Sequence, residues 1–151
     1  MKDTLTKQTG ITLIELLAAL AILSVLISLT FGVLINGINY SKTAETNVLL
    51  QQDANYIFSF LTTQHETQSS YTIQFDQNPN ASTITVLNAS GDSTVLSSPN
   101  HEYSLYTSSS IPLPNNTIIT PSSQNFFIKL VITDKKKPNL QFELQTTLSR
   151  M

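Results

Sequence analysis

From Ile11 to Ile35 the chain carries one ionisable residue, Glu15. As a helix these roughly 25 residues would extend about 37 Å, enough to cross a hydrocarbon core of about 30 Å. Lys2 and Lys7 precede the run, so the short N-terminal tail is expected on the cytoplasmic side and the rest of the chain beyond the membrane. The sequence has no second apolar run of this length, which predicts a single span. A secretory signal peptide would have a shorter apolar core followed by a small-x-small cleavage site. Ala19-Leu20-Ala21 fits that pattern by letter, but mostly apolar residues continue behind it to Ile35, so the run reads as a retained helix.

Behind the run the composition changes. Only 12% of all residues are charged, about half the usual share, and Ser, Thr, Asn and Gln fill the remainder. With 151 residues there is room for one extracytoplasmic domain. A net charge of -2 gives no bulk electrostatic reason to expect nucleic-acid binding. The chain has no cysteine, which excludes a disulfide scaffold and a thiolate metal site.

Glu15 is the most informative residue. A carboxylate inside a span is costly and is by default functional, with a partner to be named; a carboxylate near the end of a span can also snorkel to the headgroups. Its neighbours favour the functional reading. The segment Lys7-Gln8-Thr9-Gly10-Ile11-Thr12-Leu13-Ile14-Glu15-Leu16-Leu17 resembles the processing and methylation motif of type IV prepilins and of type II secretion or competence pseudopilins. That motif has a short basic leader ending in glycine, an apolar first mature residue and a glutamate at the fifth mature position. Gly10, Ile11 and Glu15 fill those places.

The resemblance implies a structural protein rather than an enzyme. A membrane prepilin peptidase would cut between Gly10 and Ile11, where glycine leaves the scissile backbone unobstructed. The freed Ile11 amine, usually methylated in this family, would then sit near Glu15 of a neighbouring subunit. Each charge would satisfy the other in low dielectric, and removing one would leave a buried charge uncompensated. The implied partners are other pilin or pseudopilin subunits, the peptidase, an inner-membrane assembly platform and membrane lipid. DNA is a partner that nothing in the sequence supports. The implied location is the bacterial cell membrane, single-pass, with surface exposure on assembly.

Ser24, Ser28 and Gly32 recur at four-residue spacing and define a candidate helix-packing face. Gly32 and Gly37 are mild weak points, and no proline breaks this region. Further on, Leu50, Ala54, Ile57, Phe58 and Leu61 form one apolar stripe, which predicts that the helix continues to about Gln64. From His65 the period becomes two. Strands are expected at Tyr71 to Phe75, Ser82 to Leu87, Thr94 to Leu96 and Glu102 to Thr107, with a turn at Ala89 to Asp92. The proline-bearing stretch Ser108 to Ser123 reads as loop, with at most a short edge strand at Ile118-Ile119. Phe126 to Leu148 is expected to be a hairpin closed by Asp134 to Asn139, its Phe126/Ile128/Leu130 and Phe142/Leu144 faces covering the helix stripe.

The expected fold is therefore α+β: a long N-terminal helix, half membrane-spanning and half amphipathic, on a small antiparallel sheet with one covered face. The expected organisation is a leader (1–10), a transmembrane helix (11–38), its amphipathic continuation (39–65) and a sheet domain (66–151).

Other candidate sites carry less. His65 and His101 are far apart in sequence, and no catalytic triad, phosphate loop or metal-ligand spacing is visible, so no cofactor and no metal is expected. Asp76 and Asp92 read as turn formers rather than calcium ligands. Lys135-Lys136-Lys137 reads as a solvated hairpin tip before a DNA or subunit contact. Asn80-Ala81-Ser82 and Asn88-Ala89-Ser90 match the glycosylation pattern, which chance supplies readily in so polar a chain. The leading expectation is a minor subunit of a pilus or pseudopilus serving secretion, DNA uptake or adhesion. The alternative is a membrane-tethered binding domain that does not polymerise.

Overall fold

The computed structural model describes residues 12–76, 82–107, 111–121 and 125–150. One helix, α1, runs Leu13–Thr67. Among the described residues eight strands follow: β1 Tyr71–Asp76, β2 Thr83–Asn88, β3 Ser93–Val95, β4 His101–Thr107, β5 Ile111–Pro112, β6 Thr117–Ile119, β7 Phe126–Asp134 and β8 Gln141–Leu148. The chain divides into two compact units, residues 1–42 and 43–151.

The described part of the first unit is helix from Leu13 onward. No proline occurs between Thr12 and Thr67, so nothing removes a ladder hydrogen bond. Its large apolar side chains are exposed in the single chain, from Leu13 (79%) to Ile38 (48%). A helix that is apolar all round must be covered by lipid or protein.

The second unit is built by burial of the helix stripe. Leu50, Ala54, Ile57, Phe58 and Leu61 are all buried, and His65 continues the line one turn further. The helix ends at Thr67, with the Gln68 amide bonded to the Gln64 carbonyl at 2.9 Å. The strands form two antiparallel sheets, β3-β2-β1-β6 and β5-β4-β7-β8. Inward residues of both sheets, among them Ile73, Ile84, Leu105, Ile128, Leu130 and Ile132, join the helix stripe in one apolar core.

Two sheets stand where the sequence suggested one. Alternation reports which face of a strand is covered, but it does not report the strand's neighbours. Here β1, β2 and β3 form a meander, and the segment Leu96 to Asn100, with Pro99, breaks the ladder before β4 starts the second sheet. The β2–β3 turn is closed by Asn88, whose Oδ1 accepts the Asp92 amide at 2.8 Å, while Gly91 takes φ +87°. Strand β6 then returns to the first sheet and pairs with β1 from Tyr71↔Ile119 to Ile73↔Thr117.

Much of Ser108 to Ser123 is loop as expected, and β6 is the anticipated edge strand. Leu113 was missed: it lies between two prolines yet is fully buried, its amide bonded to the Leu105 carbonyl at 2.8 Å. The C-terminal hairpin forms with register Phe126↔Leu148 through Thr133↔Gln141. Its apolar faces differ from expectation. Ile128, Leu130 and Ile132 are fully buried, whereas Phe126, Phe142 and Leu144 are only partly buried. Strand β8 is the last in its sheet, so its inward side chains are covered from one side alone.

Candidate processing and assembly segment

The candidate site is the N-terminal end of α1. Gly10 and Ile11, the expected cleavage and methylation positions, lie outside the described residues, as do Lys2 and Lys7. The description starts at Thr12, the residue before the helix. There Thr12-Leu13-Ile14-Glu15 forms a capping box. The Glu15 Oε2 accepts both the Thr12 amide and the Thr12 hydroxyl at 2.9 Å, and the Thr12 Oγ1 accepts the Glu15 amide at 3.4 Å. Two of the orphan donors at the helix start are thus satisfied locally.

This local bond was not foreseen, although the Thr-x-x-Glu spacing signals it. It changes the chemistry of Glu15 in a useful way. In the single chain the carboxylate is exposed yet already held by its own helix end.

The candidate packing face lies further along α1. Ser24, Ser28 and Gly32 are all exposed in the single chain. The Ser24 hydroxyl donates to the Ala21 carbonyl at 2.8 Å, so it presents little unsatisfied polarity to lipid. A Cβ added at Gly32 or Gly37 would meet nothing within 4 Å. Among the described residues neither glycine is needed for close packing.

The residues set aside in the distal domain have local structural explanations, with one surprise. The Asp134 carboxylate accepts the amides of Lys136 and Lys137 at 2.7 Å and closes the basic hairpin tip. The Lys135 ammonium donates to the Pro99 carbonyl at 3.0 Å. The Asn88 amide group is engaged with Asp92, and Asn80 lies outside the described residues. Among the described residues no group of three or more His, Cys, Asp or Glu side chains could hold a metal.

The surprise is Asp53. α1 brings an acidic partner to His101 from 48 positions away: the Asp53 Oδ2 lies 2.6 Å from the His101 Nδ1. The same oxygen accepts the Tyr103 hydroxyl at 2.9 Å, and that hydroxyl accepts the Ser98 amide at 2.8 Å. Burial, chiefly, pushes the Tyr103 phenol well above its ordinary pKa, and Asp53 adds to it. This network ties the amphipathic half of α1 to β4. The sequence signal was a lone charge beside the apolar stripe, since Asp53 is the only ionised side chain between Glu45 and Glu66.

His65 plays a different part. It is buried, with its Nδ1 3.2 Å from the Tyr71 hydroxyl. Burial, the positive Arg150 and, in the opposite sense, Glu66 act on it, and the net effect lowers its pKa below 6.5. It packs as a neutral core ring.

Residues 5–31 match the family model described as the prokaryotic N-terminal methylation motif. The match covers the second half of the expected leader with Lys7, Gly10, Glu15 and most of the apolar run, and it agrees with the prepilin and pseudopilin resemblance read from the residues. Proteins carrying this motif are in general structural subunits, membrane-anchored through the apolar helix. No curated protein and no solved structure matches the chain.

Proposed function

We propose that this chain is a prepilin-like subunit that is cut after Gly10 and assembles through its N-terminal helix into a pilus or pseudopilus fibre. The observation that carries the reading is the register of the motif. Gly10, a capped helix start at Thr12, and Glu15 at the fifth position after the glycine open an apolar helix whose side chains are exposed among the described residues. A passive membrane tether needs the apolar helix but not the register.

In this reading lipid covers the helix before assembly, and neighbouring helices cover it afterwards. Cleavage frees an amine at Ile11, and the fibre places it beside Glu15 of an adjacent subunit, already oriented by Thr12. The pair sets the axial register of subunits more than their raw affinity, because desolvating both charges consumes most of the Coulombic gain. Ser24, Ser28 and Gly32 give the close-approach face. In this reading it is a minor subunit, and the machine it serves is one of secretion, DNA uptake or adhesion. The N-terminus faces the cytoplasm, and the two-sheet domain is extracytoplasmic.

The test is Glu15→Val in the native host. Insertion is expected to be unimpaired, since valine makes the span more apolar. Cross-linking to neighbouring subunits is expected to fall at least tenfold, because an Ile11 amine loses its counter-charge at a depth water does not reach. Undiminished cross-linking, with cleavage and membrane content normal, would favour a membrane-tethered domain that does not polymerise.

A further inference from the structure

The tip of the β7–β8 hairpin folds against the segment Leu96 to Asn100. The Lys135 amide donates to the Asn100 carbonyl at 3.2 Å, and the Lys135 ammonium donates to the Pro99 carbonyl at 3.0 Å. Beside this joint lies a surface cavity of about 270 Å³. Four hydroxyls line it, those of Ser82, Thr83, Ser97 and Ser98, together with the Lys135 ammonium. The rest of its wall is Val95 and Pro99.

The acceptors around this cavity are largely taken. The Ser82 Oγ accepts the Tyr103 amide at 2.9 Å and the Ser97 Oγ accepts the Ile84 amide at 3.2 Å, which leaves each hydroxyl its proton to give. The Ser98 carbonyl accepts the His101 amide at 3.4 Å, and the Pro99 carbonyl holds Lys135. No carboxylate lines the cavity. The nearby Asp134 accepts the Lys136 and Lys137 amides, and Asp53 lies behind Tyr103, engaged with that hydroxyl and with His101. Three other surface cavities each have a carboxylate in the lining: Glu102, Glu143 or Asp76.

We propose that this cavity binds a phosphate group, free or esterified, with Lys135 supplying the counter-charge and the Ser82, Ser97 and Ser98 hydroxyls donating to its oxygens. A phosphate accepts several hydrogen bonds at once, and such bonds are stronger for its charge. A cation would need the carboxylate that is missing, and a neutral polyol would need acceptors that are already occupied. The volume falls just below the range of about 300–1,000 Å³ typical of drug-sized ligands, which suits one small group. Lys136 and Lys137, next along the tip, add to the positive potential. The site belongs to the distal domain alone and stands or falls separately from helix-mediated assembly.

The test follows melting of the detergent-extracted full chain as sodium phosphate is added, against sodium chloride at equal ionic strength. The expected result is a saturable rise in Tm with phosphate beyond that with chloride. Apparent affinity is expected to fall about tenfold in Lys135→Gln and about threefold in Ser98→Ala. Lys136→Gln removes the same charge from the same tip without touching the cavity lining, and is expected to change affinity less than about twofold. Ser98→Ala leaves the Ser98 backbone bonds in place, so it keeps the test valid if Lys135→Gln melts lower than the parent without phosphate. Dimethyl phosphate separates the sources: protection by both compounds assigns the site to a phosphodiester, and protection by phosphate alone to free phosphate or a monoester. No rise beyond that with chloride, or equal losses from Lys135→Gln and Lys136→Gln, overturns the proposal.

Discussion

Replacing Asp53 with alanine tests whether the amphipathic half of α1 is tied to β4 as described. The carboxylate accepts from the His101 ring and from the Tyr103 hydroxyl, and both side chains that lose it are buried. A hydrogen bond to a charged acceptor contributes about 1.5–3 kcal/mol, and the smaller figure applies because Asp53 is itself about a third exposed (31%). Two such bonds give about 3 kcal/mol. Alanine returns about 0.5 kcal/mol through its better helix propensity. The Tyr103 hydroxyl keeps one partner, the Ser98 amide, so its orphaning is incomplete. The net expectation is a loss of about 2 kcal/mol, or about 8–15 °C in Tm for a domain of roughly 100 residues. Asp53→Asn keeps an acceptor and is expected to lose less than half as much. In a double-mutant cycle with Tyr103→Phe the coupling is expected to be about 1 kcal/mol. The assay is thermal melting of the detergent-extracted chain, followed by near-ultraviolet circular dichroism of the tyrosines. If Asp53→Ala melts within 2 °C of the parent, or if Asn and Ala cost the same, the network does not hold the helix to the sheet.

Two further outcomes follow from the packing. Phe142→Ala is expected to cost about 1–2 kcal/mol, well below the 3–5 kcal/mol of a fully buried phenylalanine, because β8 is an edge; a larger loss in melting experiments would place Phe142 in the core. His65 sets an acid limit. Its pKa is lowered in the folded chain, so below pH 6.5 the unfolded state takes up a proton that the folded state resists. Stability is therefore fully present above that pH and falls as the medium is acidified. His65→Gln is expected to flatten the decline in Tm between pH 7.5 and about pH 5 relative to the parent, and parallel curves for the two proteins would contradict the assignment.

The stripe from Leu50 to Leu61 was legible because helix periodicity and burial are the same fact seen twice. The β7–β8 hairpin was legible for the analogous reason, with Asp134 and Pro138 marking its turn. The division into two sheets was not, since Tyr71 to Phe75 and Glu102 to Thr107 alternate alike whichever neighbour they bond. The half-burial of Phe142 depends on β8 being last in its sheet, which is a property of topology and not of residue type. Asp53 and His101 are joined by tertiary packing alone. At the N-terminus the reverse holds: Gly10 and Glu15 are informative as letters in register, and the fold adds the Thr12 capping box that orients the carboxylate.

The most direct test of the fibre-subunit reading is the mass of the N-terminal peptide of the protein extracted from membranes of its native host, with the prepilin peptidase active. The account predicts a chain that begins at Ile11, bearing a methylated amine or a free one, and that reverts to the uncut form when the peptidase is inactivated. A chain that retains residues 1–10 with the peptidase active would contradict it.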